Sequence, residues 1–199
     1  MKKNLANKLL KTTAIAVSLV WLGIAVPVPG YAATADEEKS EKFLREARDF
    51  IKKGDGNAAV IQLKNALQKD RNNVGARMLL GDIYLRVGNG PAAEKELKAA
   101  QRRGADGINL KIQIARSYIL QGKFTDVLDE LRDNVTDPTI RADILYVRGS
   151  AYLGLGKRQE ALDSFDEGEK LNPKDIRSKI GLAKVQVGMG NLPAAEAKI

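Results

Sequence analysis

Five glycines recur along this chain at a constant interval of 34 residues: Gly54, Gly88, Gly122, Gly156 and Gly190. Glycine enters the left-handed backbone region without a steric cost, and it is therefore favoured directly after the last turn of a helix. A constant interval between such turns predicts a series of helix–turn–helix units of equal length. The spacing indicates an all-α repeat architecture, in which each unit packs on its neighbours and the array presents a long surface.

The residues between the glycines repeat with the same period when the units begin at Ser40, Val74, Ile108, Ala142 and Ile176. The eighth position is small in every unit: Ala47, Gly81, Ala115, Gly149 and Ala183. The twentieth position holds alanine or valine: Ala59, Ala93, Val127, Ala161 and Ala195. The twenty-fourth position is large and apolar: Leu63, Leu97, Leu131, Phe165 and Ile199. Because small residues let two helices approach and large residues fill the space around the contact, each unit is expected to be a close helical hairpin.

The residue after each glycine indicates how the second helix of the unit begins. Asp55, Asn89 and Asn191 are expected to be N-caps, because their side-chain oxygens can accept hydrogen bonds from the first helical N–H groups. Lys123 and Lys157 stand at the same position and cannot do this. The pattern therefore predicts capped second helices in three of the five units.

The third unit differs from the others near its end. Asn134 stands where a small residue is expected, so the second helix of this unit is predicted to end early. Pro138 is expected to close the third unit, as Pro173 closes the fourth, because proline cannot continue a helix.

From about Glu37 to its end, the chain resembles the tetratricopeptide-repeat (TPR) family, and the fourth unit fits the family pattern best. The resemblance implies an α-solenoid of helix–turn–helix hairpins with a 34-residue period. The predicted repeats are TPR 1 at 40–73, TPR 2 at 74–107, TPR 3 at 108–141, TPR 4 at 142–175 and an incomplete TPR 5 at 176–199. The incomplete fifth repeat is expected to mark the front portion of a longer array or a truncated product.

Three longer strings, at 61–73, 81–100 and 118–131, are similar to the exported TPR protein of the PEP-CTERM/exosortase system. That family is associated with bacterial exopolysaccharide production and surface sorting. The resemblance therefore implies a role linked to exopolysaccharide and contacts with the export machinery. Members of the family are described as lipoproteins, whereas this chain contains no cysteine that could carry a lipid.

Residues 1–32 have the pattern of a secretory signal peptide: a basic start, an apolar stretch at 14–28, and small residues before a cleavage site after Ala32 or Ala35. The alternative is a retained membrane anchor. The apolar stretch of 15 residues is shorter than the roughly 20 that span a bilayer, which favours cleavage. We expect a periplasmic or secreted protein without a stable membrane span, in which residues 33–39 form an unstructured linker.

Composition excludes several classes of chemistry. The chain contains no histidine and no cysteine, which removes histidine-dependent nucleophilic catalysis, thiolate nucleophiles and the usual zinc ligands. Cleavage at residue 32 would leave 29 basic and 25 acidic residues, a net charge of +4 with both signs mixed along the helices. Such a mixture does not form the basic stripe that nucleic acids require. We therefore expect no enzyme activity, no cofactor or metal, and no nucleic-acid partner.

The TPR resemblance implies that the first helix of each repeat lines a concave groove. Positions five and twelve of the repeats form two apolar ladders, and position nine is largely basic, which suits a protein or peptide partner with acidic groups. The candidate groove residues are Leu44, Arg48, Ile51, Met78, Asp82, Leu85, Ile112, Arg116, Ile119, Tyr146, Leu153 and Lys184. The alternative is that both ladders pack between neighbouring repeats.

The residues and the resemblance together lead to one expected function and two alternatives. We expect a non-enzymatic exported scaffold for protein–protein interaction, linked to exopolysaccharide biosynthesis or export. One alternative is a periplasmic adaptor for outer-membrane assembly or for export of a cellulose-type polymer. The other is a glycan-binding or glycan-processing module, which the small number of aromatic residues disfavours.

Overall fold

The computed structural model describes residues 34–132 and 135–197, which form ten α-helices and no strand. The predicted signal peptide, Asn134 and Ile199 lie outside these ranges. The helices are α1 (Ala35–Lys52), α2 (Gly56–Lys69), α3 (Val74–Arg86), α4 (Gly90–Gln101), α5 (Ile108–Ile119), α6 (Phe124–Glu130), α7 (Pro138–Gly154), α8 (Arg158–Leu171), α9 (Ile176–Gly188) and α10 (Leu192–Glu196).

Consecutive helices form hairpins that stack on one another. The hairpins are α1–α2, α3–α4, α5–α6, α7–α8 and α9–α10, and the second helix of each packs on the first helix of the next. The first helices also contact one another along the series α3, α5, α7 and α9. The predicted all-α helical-repeat fold is therefore confirmed.

The turn inside each hairpin is a Schellman motif. In this motif a residue with left-handed backbone follows the helix, and two backbone N–H groups donate hydrogen bonds to carbonyl groups in the last turn of the helix. In the first hairpin Gly54 has φ of 79°, its N–H donates to Ile51 at 3.0 Å, and the N–H of Asp55 donates to the carbonyl of Phe50 at 2.9 Å. The other four periodic glycines have φ values of 71° to 78° and the same pair of hydrogen bonds. The role predicted for these glycines is confirmed.

Small residues at position eight let a large residue from the second helix press against the first helix. A Cβ atom added at Gly81 would lie 2.7 Å from the side chain of Leu97, and one added at Gly149 would lie 2.7 Å from the ring of Phe165. Both Leu97 and Phe165 are buried. The close approach expected from the small positions is therefore present in these hairpins.

The capping pattern also follows the prediction. The side chains of Asp55, Asn89 and Asn191 accept hydrogen bonds from the backbone N–H groups three residues later, at 2.9, 3.1 and 3.3 Å. Lys123 and Lys157 occupy the N-cap positions of α6 and α8, and their side chains make no capping hydrogen bond. Helix α6 ends at Glu130 after seven residues, so the second helix of the third repeat is short, as predicted.

Two expectations about helix boundaries are wrong. Residues 35–39 of the predicted linker are helical and not unstructured, because α1 begins at Ala35, while Ala33 lies outside the described residues. The side chain of Thr34 accepts from the N–H of Glu37 at 3.2 Å, while the Glu37 carboxylate accepts from the N–H of Thr34 at 2.7 Å. This capping box, together with acidic residues in the first turn, stabilises the start of the helix.

The second error concerns Pro138, which begins α7 instead of closing the preceding repeat. Proline is favoured in the first turn of a helix, where its missing N–H has no intrahelical partner to lose. The side chain of Asp137 caps this start by accepting from the N–H of Ile140 at 2.9 Å. Helix α7 is consequently four residues longer at its start than the repeat pattern indicates.

The core is one seam that runs along the stack. Three clusters of buried apolar residues lie under the first two repeats, the middle repeats and the last two repeats. Tyr84 packs against the first and second clusters, and Tyr146 packs against the second and third. The two tyrosines therefore connect the clusters, as expected where each unit buries its apolar face on its neighbours.

Candidate binding groove

The first helices of the repeats line two adjoining depressions on one face of the stack. The first has a volume of about 410 Å³ and lies between α3, α5 and α7. The second has a volume of about 330 Å³ and is lined by residues of α5 to α9. Ile119, Tyr146 and Ser150 line both depressions, so the two form a continuous groove. Volumes of this size are in the range of ligand pockets.

The structure places seven of the twelve candidate residues in this groove: Asp82, Leu85, Arg116, Ile119, Tyr146, Leu153 and Lys184. Three others, Arg48, Ile51 and Met78, keep some exposure on α1 and α3 but line neither depression.

Leu44 and Ile112 are not surface residues, contrary to the expectation that they line the groove. Leu44 is 2% exposed and Ile112 is 3% exposed, and both belong to the buried core. The side chain of Leu44 lies under the first turn of α3, where a Cβ added at Gly75 would approach it to 2.9 Å. For these two residues the alternative interpretation, packing between neighbouring repeats, is correct.

The second depression contains four residues that the sequence interpretation did not select as groove residues: Phe124, Gly154, Phe165 and Gly181. Ile180, which belongs to the apolar ladder at position five, also lines it. A Cβ atom added at Gly154 would overlap the ring of Phe124. One added at Gly181 would lie 2.6 Å from the ring of Phe165. The two glycines therefore leave room for the two aromatic rings that help to line the depression.

The contact between Phe124 and Gly154 belongs to a pattern across the repeats. Position 17 of a repeat is paired in the sequence with position 13 of the next, and the pairs are Gly56 with Arg86, Gly90 with Leu120, Phe124 with Gly154, and Arg158 with Gly188. In the last three pairs a Cβ added at the glycine would lie within 4 Å of its partner, whereas the space at Gly56 is open. Each pair combines one glycine with one larger residue. The glycine is on the second helix in the first two pairs and on the following first helix in the last two.

The geometry explains the pattern at the second and third pairs, where the fit is tight. A Cβ atom at Gly90 would lie 2.8 Å from the Cβ of Leu120, and one at Gly188 would lie 3.8 Å from the Nε of Arg158. Since Gly90 has no room for a side chain beside Leu120, one of the two positions must be small. In the second pair the glycine comes first in the chain, and in the third pair the large residue comes first. Because Phe124 and Gly154 line the second depression, this reversal is the feature of the sequence that could have indicated it.

Two of the aromatic residues in the second depression, Phe165 and Tyr146, lie against each other. Their ring centroids are 6.0 Å apart with an interplanar angle of 45°, a favourable tilted arrangement. Phe165 is buried between Gly149 on α7 and Gly181 on α9, whereas Tyr146 is half-buried. Tyr146 therefore presents part of its ring to the groove.

Charged side chains along the groove are mostly paired with one another. The Nε of Arg86 donates to Asp82 at 2.9 Å, and Arg116 lies 3.4 Å from the Oδ1 of Asp143. Arg177 pairs with Asp143 and stands 5.2 Å from the centre of the Tyr146 ring, within range of a cation–π interaction. These pairs reduce the net charge of the groove around Tyr146.

Arg177 also pairs with Asp175, the N-cap of α9. The hydrogen bond from Arg177 holds the pKa of the Asp175 carboxyl below its ordinary value, although burial opposes the shift. The same bond raises the pKa of Arg177 further above its ordinary value. Both side chains therefore stay charged at neutral pH.

Lys184 is the exception among these charges. It lies on α9 at the edge of the second depression, it is exposed, and it makes no ion pair within 34–132 and 135–197. The arrangement can therefore bind apolar side chains and one additional carboxylate.

Among the residues that the structure describes, no helix has both the length and the apolar character needed to cross a bilayer.

The helical stack is similar to several solved structures. MamA (41-end) from Desulfovibrio magneticus RS-1 superposes with a TM-score of 0.67 at 15% identity, covering 82% of this chain and 93% of that one. A thermophilic TPR protein from Thermus thermophilus gives 0.64 at 21% identity, with coverages of 80% and 87%. A TPR protein from Parabacteroides merdae ATCC 43184 gives 0.61 at 25% identity, with coverages of 81% and 64%. Among curated proteins, none matches the sequence significantly.

Family models agree with the repeat architecture. Two models, each described as a tetratricopeptide repeat, match residues 50–111 and 142–175. The matched segments include hairpins with the periodic glycines, the small eighth position and the closely packed helices described above. On this evidence the chain belongs to the tetratricopeptide-repeat proteins.

Proposed function

We propose that this protein is an exported, non-enzymatic scaffold that binds a protein partner in the groove formed by α3, α5, α7 and α9. Proteins built from tetratricopeptide repeats bind protein partners, and most residues that line this groove lie on the first helices of the repeats. The observation that carries the proposal is the pair of adjoining depressions that meet at Tyr146. A partner segment that covers them removes apolar surface from water, which favours binding.

The proposed setting is bacterial exopolysaccharide biosynthesis or export, linked to a PEP-CTERM/exosortase system. The support is the similarity of the strings at 61–73, 81–100 and 118–131 to the TPR protein of that system. Export is supported by the basic and apolar pattern of residues 1–32. In this setting the scaffold holds a component of the polymer-export machinery through the groove.

Location and partner can be tested together on the full chain carrying a C-terminal tag, produced in its own host. We expect the tagged protein in the periplasm or the medium, with a first residue of Ala33 or Asp36 on N-terminal sequencing. We also expect one protein of the polymer-export machinery to co-purify with it. Retention of residues 1–32 in the cytoplasm, or a capture that fails to enrich any envelope protein over an untagged control, contradicts the proposal.

A linked genetic measurement tests the setting. Deletion of the gene should lower the amount of exopolysaccharide at the cell surface, and the intact gene should restore it. A gene carrying Ile180→Ser should restore it less well than one carrying Ile176→Ser, since only Ile180 lines the groove. Unchanged exopolysaccharide in the deletion strain contradicts the proposed setting.

A further inference from the structure

We propose that the second depression is the anchor site for the partner, and that it accepts one apolar side chain adjacent to a carboxylate in an acidic segment of the partner protein. This inference rests on the proposed function, since it names the chemistry recognised within the same groove. Three features of the depression support it: its space, its lining and the charge at its edge.

Two glycines and two aromatic rings bound the space. Gly154 and Gly181 replace side chains on α7 and α9 with bare backbone, and the rings of Phe124 and Phe165 fill part of the room that this leaves. The depression that they help to line has a volume of about 330 Å³ and is open to the groove. It is sufficient for a single large apolar side chain of a partner.

The lining distinguishes the second depression from the first. Ile180, which lines only the second depression, is 44% exposed, and Tyr146 and Leu153 beside it are half-buried. A side chain inserted there covers apolar surface that now faces water. The first depression contains the ion pair between Asp82 and Arg86, which already satisfies both charges.

The charge at the edge determines the partner's chemistry. Lys184 follows Ile180 by one helical turn on α9, so the two side chains lie on the same face of the helix. Arg116 and Arg177 are paired with Asp143, whereas Lys184 makes no ion pair in the described parts of the chain. A carboxylate next to the inserted side chain is therefore the group that complements Lys184.

A minimal probe contains only these two features. N-acetyl-L-phenylalanine presents one aromatic side chain next to a carboxylate. Two control compounds each lack one feature: N-acetyl-L-phenylalaninamide has no negative charge, and N-acetylglycine has no large side chain. Nuclear magnetic resonance of the purified protein labelled with nitrogen-15 should show shifts at the amides of α7 and α9 around the depression. A ligand of this size should bind with a Kd on the order of millimolar. Absence of shifts, or shifts confined to other helices, overturns the proposal.

Variants separate the apolar and charged contributions. Ile180→Ser should weaken binding about 5- to 10-fold through lost apolar contact, whereas Ile176→Ser on the same helix should leave it unchanged. Ile176 is the matched control because it is 64% exposed and lies outside both depressions. Lys184→Gln should remove the preference for the acid over its amide. Equal weakening by both serine variants, or a preference that persists without Lys184, overturns the proposal.

The captured partner distinguishes this inference from the proposed function. If Leu85→Ser in the first depression weakens binding of the purified partner and Ile180→Ser does not, the groove binds the partner but the anchor site is refuted. If neither variant weakens binding while circular dichroism shows that both remain folded, the proposed function fails as well. Weakening by Ile180→Ser and by Lys184→Gln supports both.

Discussion

The ring of Phe124 fills the space into which a side chain at Gly154 would project. The two residues are 30 positions apart and belong to consecutive repeats. In the preceding pair the sizes are reversed, since Gly90 faces Leu120. This exchange of sizes conserves the fit between neighbouring repeats while it moves the glycine onto α7, and both Phe124 and Gly154 line the second depression.

The first prediction tests this reciprocal fit. Gly154→Leu should lower the free energy of unfolding by about 1–3 kcal/mol, because the new side chain meets the Phe124 ring in a packed interface. Phe124→Gly should also destabilise the protein by about 3–5 kcal/mol through lost packing. The double variant copies the pair formed by Gly90 and Leu120. Its loss in the free energy of unfolding should be smaller than the sum of the losses of the two single variants by about 1 kcal/mol or more. Denaturant unfolding of all four proteins measures this coupling, and additive losses contradict the reciprocal fit.

The second prediction concerns a buried polar contact between the first two repeats. Asn73 is 6% exposed, and its amide nitrogen donates to the hydroxyl of Ser40 at 2.9 Å and to the carboxylate of Glu41 at 2.9 Å. Its side-chain oxygen accepts from the N–H of Ala76 at 2.8 Å and caps α3. Asn73→Asp retains the cap but loses both donated bonds and adds a charge near Glu41. We expect a loss of about 1–3 kcal/mol in the free energy of unfolding.

Asn89→Asp provides the matched control for Asn73→Asp. Asn89 is an exposed N-cap, and aspartate caps a helix about as well as asparagine, so we expect a change within about 0.5 kcal/mol. Equal effects of the two substitutions show that the bonds from Asn73 to the first repeat contribute no stability.

The third prediction concerns pH. The hydrogen bond from Arg177 lowers the pKa of Asp175 in the folded state below the ordinary value of 3.8, so the unfolded chain takes up this proton first as the pH falls. The stabilisation is therefore fully present above pH 3.8 and is lost as the pH falls through the lowered pKa. Asp175→Asn should be less stable than the original protein at pH 7, and the difference should shrink towards pH 2.

Unfolding measured between pH 7 and pH 2 checks this dependence. Asp126→Asn is the control, because Asp126 is exposed and makes no ion pair in the residues described. The same measurements on this variant give the baseline effect of removing one exposed carboxylate. A constant difference for Asp175→Asn over the whole range contradicts the contribution of the charge on Asp175.

The sequence predicts the repeat fold well because its strongest signals are local. The conformation of Gly54 and the side-chain cap of Asp55 depend on residues within one turn, and every repeat presents the glycine at the same position. The start of α1 was missed because the repeat pattern says nothing about residues before the first unit. The capping box of Thr34 and Glu37 is nevertheless visible in the sequence.

The groove was less predictable, since exposure depends on contacts between repeats. Leu44 and Tyr146 occupy the same position of their repeats, yet Leu44 is covered by α3 and Tyr146 lines both depressions. A comparison of equivalent positions cannot distinguish them. The fit between Phe124 and Gly154 links two different positions in consecutive repeats. It can be recognised only when the structure shows which residues of the two repeats are in contact.

Photo-crosslinking in the host tests the central claim, that the partner binds in the groove. The photoreactive residue p-benzoylphenylalanine is placed at Ile180 in the second depression or at Ile61 on α2, which is 59% exposed and lies outside both depressions. We predict that illumination joins a partner protein covalently to the chain substituted at position 180 and not to the chain substituted at position 61. Crosslinking of the partner from position 61 with none from position 180 would contradict the account.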